Sequence, residues 1–140
     1  MNHSVLIVDD NRELREVLAF AFERAGFTVA LAGDGAEGLR CALAARPDLV
    51  VTDLVMPVQD GLGLIADLRA EDPGVKIIAI SGGGAPLGCH LTAARALGAL
   101  AVLRKPFLPG ELLIAARRLL EADAAAADFA LIDDTQPTAA

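Results

Sequence analysis

The sequence predicts an α/β fold in which a parallel sheet of five strands is buried between helices on both faces. Three observations predict it. Apolar runs of four to seven residues alternate with stretches whose apolar positions recur at helical spacing. The runs are apolar at successive rather than alternate positions, the pattern of strands covered on both sides. Five such βα repeats follow one another within 140 residues, one domain's worth of chain and enough to bury a core without metals or disulfides.

The first strand is SVLIV, residues 4–8, followed by a helix over 12–25 in which Leu14, Leu18, Ala21, Phe22 and Ala25 share one face. FTVALA, 27–32, is the second strand, and GAEGLRCALAA, 35–45, the second helix, with Asp34 as N-cap. Pro47 separates that helix from the third strand, DLVVTD, 48–53. A helix over 61–71, a strand VKIIAIS over 75–81, a helix over 86–97, a strand LAVL over 100–103 and a helix over 109–122 complete the repeats. Residues 1–121 read as the domain. Residues 122–140, ADAAAADFALIDDTQPTAA after the last helix, read as an acidic, Ala-rich tail that lengthens the helix and then becomes disordered.

Composition excludes several function classes. A formal net charge of −7, with no Trp or Tyr and five scattered Phe, argues against direct nucleic-acid binding, which needs clustered cations and stacking platforms. No uninterrupted apolar run reaches the ~18 residues of a membrane span, and the N-terminus lacks the pattern of a signal peptide, so a cytoplasmic protein is expected. Cys41 and Cys89 show none of the spacings of a zinc site or redox dithiol and read as free thiols. His3 and His90 lack partners at ligand spacing and read as ordinary surface or edge residues.

The chemistry concentrates at one edge. In parallel sheets ligands bind beyond the carboxyl ends of the strands, and Asp9, Asp10, Asp53, Ser81 and Lys105 all fall at or just after such ends. Asp9 and Asp10 taken alone suit a helix cap. Joined by Asp53 they form a set of three carboxylates whose mutual repulsion calls for a divalent cation, and hard oxygen donors suit Mg²⁺ or Mn²⁺. Lys105 adds an ammonium and Ser81 a hydroxyl. A metal ion and an ammonium beside a carboxylate are suited to a phosphoryl group, whose oxygens both cations can neutralise.

The stretches VLIVDDN, DLVVTDLVMPVQDG, AISG and LGALAVLRKPF, in this order and spacing, resemble the signature blocks of the response-regulator receiver domain over residues 4 to about 121. The resemblance implies a flavodoxin-like (βα)5 fold with strand order 2-1-3-4-5. It implies that Asp53 is the phospho-acceptor for a sensor histidine kinase or histidine phosphotransfer protein. Asp10 is then the direct Mg²⁺ ligand, Asp9 a ligand through water, and the Val55 backbone carbonyl a further ligand. Ser81 and Lys105 contact phosphoryl oxygens, and the Lys105–Pro106 peptide is cis. The implied role is a signalling switch rather than an enzyme, of the stand-alone type without a DNA-binding output domain, which acts on a downstream protein. Two departures stand out. Val102 occupies the place, three residues before the lysine, where the family usually carries Tyr or Phe. The loop after Ser81 holds Gly82, Gly83, Gly84, Pro86 and Gly88.

Rival motifs are weaker. GDGAEG, 33–38, matches a dinucleotide fingerprint, with Asp53 twenty residues after Gly33. Asp34 and Glu37 would, however, set two carboxylates beside a pyrophosphate. Gly83 to Gly88 has the glycine spacing of a phosphate-binding loop but Cys89 and His90 where lysine and hydroxyl belong. An aspartyl-phosphate phosphatase of the haloacid-dehalogenase type would share the Asp nucleophile, yet that family places a second Asp where Val55 stands. A degenerate receiver acting as a constitutive binding module is the third alternative.

Overall fold

The computed structural model describes residues 3–54, 61–82, 87–121 and 130–133. The chain alternates strand and helix: β1 (Ser4–Val8), α1 (Arg12–Arg24), β2 (Thr28–Ala32), α2 (Gly35–Ala45), β3 (Leu49–Asp53), α3 (Gly61–Glu71), β4 (Lys76–Ser81), α4 (Leu87–Leu97), β5 (Ala101–Arg104), α5 (Pro109–Glu121) and β6 (Ala130–Asp133). Each of the ten elements expected from the sequence is present, with ends within one residue of expectation. The sheet is parallel in the order β2-β1-β3-β4-β5-β6. The first five strands thus follow the 2-1-3-4-5 order.

The sixth strand corrects the expectation for the tail. Residues 130–133, expected to be disordered, pair in parallel along β5, with Ala101 opposite Ala130 and Arg104 opposite Asp133. The run ALID follows an Ala-rich stretch with helical preference and lacks the Gly or Pro that separates the other strands from the helices before them. An edge strand's unpaired backbone groups can recruit such a run whatever its own propensity. Residues 122–129 and 134–140 lie outside the described residues.

Two apolar layers clamp the sheet. On one face Val5, Ile7, Val51, Ile78, Ile80 and Leu103 pack with Leu18 and Phe22 of α1 and Leu112, Ala116 and Leu119 of α5. On the other, Leu6, Val8, Val50, Ile77, Ala79 and Val102 pack with Ala42 of α2, Leu64, Ile65 and Leu68 of α3 and Ala94 of α4. Successive strand side chains point to opposite faces, so unbroken apolar runs such as VLIV fill both layers. This is why β1, β3 and β4 are buried almost throughout.

The glycine-rich match at 33–38 has a structural explanation. Asp34 caps α2 by accepting the Glu37 N–H at 2.9 Å. A Cβ on Gly38 would stand 2.9 Å from Val8 Cγ2, so that glycine lets α2 approach β1. His3 has a neighbour the sequence did not indicate, the Asp48 carboxylate with Oδ2 3.8 Å from its Nδ1.

Candidate functional site

Strand ends β1, β3, β4 and β5 meet at one edge of the sheet and bring Asp9, Asp10, Asp53, Ser81 and Lys105 to it. The order of the strands produces this: β3 lies between β1 and β4, so Asp53 at its end is flanked by the acids after β1 and by Ser81 at the end of β4.

The local fold separates capping from the acids. Asn11 caps α1, its side-chain oxygen accepting the Leu14 N–H at 3.2 Å. Asp9 instead turns inward. It is fully buried, with Oδ1 accepting the Asn11 N–H at 2.8 Å. Its Oδ2 is buried and accepts no hydrogen bond, although Lys105 Nζ stands 3.3 Å away, close enough for charge attraction. Asp10 is exposed. Asp53 is 4 % exposed, and its Oδ2 accepts a hydrogen bond from Lys105 Nζ at 3.1 Å. One half-buried ammonium therefore serves two buried carboxylates.

Electrostatics follow from that shortage of positive charge. Burial pushes the Asp9 carboxyl above its ordinary range; the Asn11 N–H pulls it back and the charge on Asp53 raises it further. Burial pulls the Lys105 ammonium down, but the charges of Asp53 and then Asp9 outweigh that, leaving it above the ordinary lysine value.

The donor set fits a hard dication. Asp9, Asp10 and Asp53 each offer a carboxylate oxygen, and these atoms lie within 4.8 Å of one another. Asp9 Oδ2 is a buried oxygen that accepts no hydrogen bond, and three carboxylates match the preference of Mg²⁺ for oxygen ligands. Val55, whose carbonyl was expected among the ligands, lies outside the described residues. Ser81 is 1 % exposed at the end of β4, and its backbone carbonyl accepts the Lys105 N–H at 2.9 Å. The Lys105–Pro106 peptide is cis, as the resemblance implies.

Two residues not singled out from the sequence shape the site. Arg15 of α1 donates from its guanidinium to the Asp9 carbonyl at 2.7 Å, tying the helix to the acid turn. A basic residue one turn into the first helix was the available signal. Gly61, at the start of α3, donates its N–H to the Leu54 carbonyl at 3.1 Å. It abuts Asp53 so closely that only hydrogen fits at its Cα. Only the fold shows that contact.

Known proteins are similar to this chain in sequence and fold. The chain is 39% identical over 116 residues to the transcriptional regulatory protein PrrA of Mycobacterium tuberculosis, covering 83% of this chain and 49% of that one. It is 34% identical over 137 residues to the DNA-binding response regulator MtrA of Mycolicibacterium paratuberculosis, covering 97% and 60%. The chain thus spans about half the length of the curated relatives it matches. Among solved structures, chemotaxis protein CheY4 of Vibrio cholerae superposes with a TM-score of 0.76 at 31% identity, covering 84% of this chain and 98% of that one. A CheY-like receiver domain protein of Methanospirillum hungatei gives 0.79 at 26%, covering 86% and 94%. The family model for the response regulator receiver domain matches residues 5–117, and with that match across the strands, helices and acid edge the chain belongs to the response regulator receiver domain family.

Proposed function

We propose that this receiver takes a phosphoryl group onto Asp53 from a sensor histidine kinase or histidine phosphotransfer protein, and that the phosphorylated form signals by binding another protein. The observation that carries the reading is the Asp53 carboxylate, nearly buried and 3.1 Å from the Lys105 ammonium, beside the unbonded buried oxygen of Asp9.

In the reaction an Asp53 carboxylate oxygen attacks phosphorus, the P–N bond to the donor imidazole breaks, and its electron pair leaves with the imidazole, giving an acyl phosphate. Asp9, Asp10 and Asp53 would hold Mg²⁺, which when bound would supply positive charge to the phosphoryl oxygens. Lys105 transfers its hydrogen bond from the Asp53 carboxylate to a phosphoryl oxygen, so no new charge need be brought in. Ser81 offers its hydroxyl to another oxygen. Arg15 and Gly61 hold the backbone of the two acids, keeping the nucleophile aimed without touching the phosphoryl group.

A donor protein needs a surface beside this edge. Leu14, Lys105, Pro106 and Phe107 line an open, mainly apolar hollow of about 460 Å³. Leu108, next to Phe107 in sequence, is also exposed. An open apolar hollow beside the site suits contact with a donor protein. No helix among the described residues is long and apolar enough to cross a membrane.

The test is phosphorylation by acetyl phosphate or a phosphorylated kinase in the presence of Mg²⁺. The unmutated chain should acquire one hydroxylamine-sensitive phosphoryl group and Asp53→Asn none. Label on Asp53→Asn would place the chemistry elsewhere. Repeated turnover of an organic phosphate would make the protein a phosphatase.

A further inference from the structure

Helix α1 packs one apolar stripe against the sheet and carries a second stripe on another face. Leu14, Leu18 and Phe22 belong to the core layer. Glu13, Val17, Phe20 and Arg24 recur at spacings of four, three and four residues, and all four are exposed, Val17 by 51 % and Phe20 by 63 %. We propose that this second stripe is a self-association surface and that its occupant is α1 of a second copy of this chain, packed antiparallel about a two-fold axis. The inference rests on α1 alone and is independent of the phosphoryl chemistry.

Three observations carry it. First, the four-three-four spacing is that of a helix-pairing seam, in which side chains of one helix enter the gaps of another. Val17 and Phe20 are successive members of this seam and, with Glu13 and Glu16, line an open hollow of about 480 Å³. Second, the stripe is self-complementary. A two-fold contact joins the same patch on both copies, and the midpoint of Glu13 and Arg24 is also the midpoint of Val17 and Phe20, between Leu18 and Ala19. Antiparallel helices crossing there set Val17 opposite the second copy's Phe20 and Glu13 opposite its Arg24, at both ends at once. Parallel packing would set like charges together. Third, these charges are available. Arg12 answers Glu16 within the helix, Nε to Oε1 at 3.1 Å, whereas neither Glu13 nor Arg24 forms an ion pair among the described residues. Arg24 lies over the Phe20 ring, 5.6 Å from its centroid, and so stands at the border of the apolar pair. Val17 and Phe20 supply the buried apolar area, and the flanking charges fix the register. The patch is small, which places the association in the weak, transient class.

Sedimentation equilibrium of the full chain, from micromolar to millimolar protein, tests this. Physiological ionic strength, with a Debye length of about 8 Å, screens the long-range repulsion between copies of net charge −7. The mean mass should rise with concentration from that of one chain toward that of two. Phe20→Glu, which sets a charge in the seam, should weaken association about tenfold or more, with an unchanged circular dichroism spectrum because the side chain is exposed. Glu13→Arg and Arg24→Glu should each weaken it, since every substitution acts twice across a two-fold, and the double variant should restore it. The two positions lie roughly 16 Å apart along one helix, so that rescue reports contact between copies. A chain that stays monomeric at millimolar concentration overturns the surface. Association undiminished by Phe20→Glu places the contact elsewhere and overturns it likewise. Failure of the double variant to recover overturns the antiparallel register and with it the proposed occupant.

Discussion

A Cβ placed on Gly61 would collide with the carbonyl oxygen of Asp53 and stand 2.8 Å from the Leu54 Cα. The obstacle is backbone on a buried strand end, which cannot swing aside as a side chain can. Gly61→Ala should therefore destabilise the fold by about 3 kcal/mol or more, at the upper end of single-residue effects. Gly110, in the first turn of α5, has nothing within 4 Å of its virtual Cβ, and Gly110→Ala should be neutral or stabilising by up to about 0.5 kcal/mol. Urea denaturation of the two variants checks the contrast. Equal stabilities would mean that the chain around Asp53 yields, and that Gly61 does not hold it.

Divalent cation should stabilise the protein through the same acids. A ligand that binds only the folded state adds about 2.7 kcal/mol at a hundredfold excess over its Kd. The melting temperature should therefore climb with millimolar Mg²⁺. Asp10 is exposed, so Asp10→Ala should alter the metal-free fold by no more than about 0.5 kcal/mol, yet should largely abolish the Mg²⁺-dependent rise. A melt indifferent to Mg²⁺ in the unmutated chain would count against the metal site.

Burial and the neighbouring Asp53 charge raise the Asp9 carboxyl above 3.8, its ordinary value, and this sets a pH dependence. Below 3.8 the group is protonated whether the chain is folded or not, and its contribution is intact. As pH rises through the higher folded value, the unfolded chain releases this proton more readily, and stability is lost. Lys105 acts at the other end: its contribution, present below 10.5, disappears only as pH rises through its raised folded value. Without Mg²⁺, Asp9→Asn should therefore be more stable than the unmutated chain at pH 7. The advantage should shrink as pH falls toward 4. Saturating Mg²⁺ should reverse the order, because an amide is a poorer metal ligand than a carboxylate. Thermal melts across pH with and without Mg²⁺ test the sign.

Much of this was readable in advance, for a definable reason. A parallel sheet places every strand's C-terminal residue at one edge, so Asp9, Asp53, Ser81 and Lys105 could be grouped from strand ends alone, without any distance. Pairwise geometry was not available in that way. That Asn11 takes the capping role while Asp9 turns inward depends on which side chain the β1–α1 turn aims at the sheet. The reach of Arg15 to the Asp9 carbonyl and the approach of Gly61 to Asp53 arise from contacts between segments. Strand β6 escaped because its run follows an Ala-rich stretch with no turn signal between them, and its pairing depends on an edge 29 positions away in register.

The last prediction concerns how a change at Asp53 leaves the site. Val102 is fully buried, packed in the layer that includes Ala79 of β4 and Ala94 of α4. A β-branched side chain has few χ1 wells and no ring to rotate between solvent and core, so it cannot repeat the motion available to an aromatic residue at this place. Gly82, directly after Ser81, has room around it. A Cβ on Gly82 would meet nothing within 4 Å, and the sequence continues with Gly83 and Gly84. When Ser81 shifts toward a group bound at Asp53, displacement at Gly82 meets less steric resistance than repacking around Val102. Beryllofluoride with Mg²⁺ should therefore change amide chemical shifts most in residues 81–92 and less around Val102. Gly83→Ala combined with Gly84→Ala should shrink that response while phosphorylation of Asp53 proceeds unimpaired. A response centred on residues 100–104 with 82–88 silent would sink the idea and route the signal along β5, toward the strand that β6 covers.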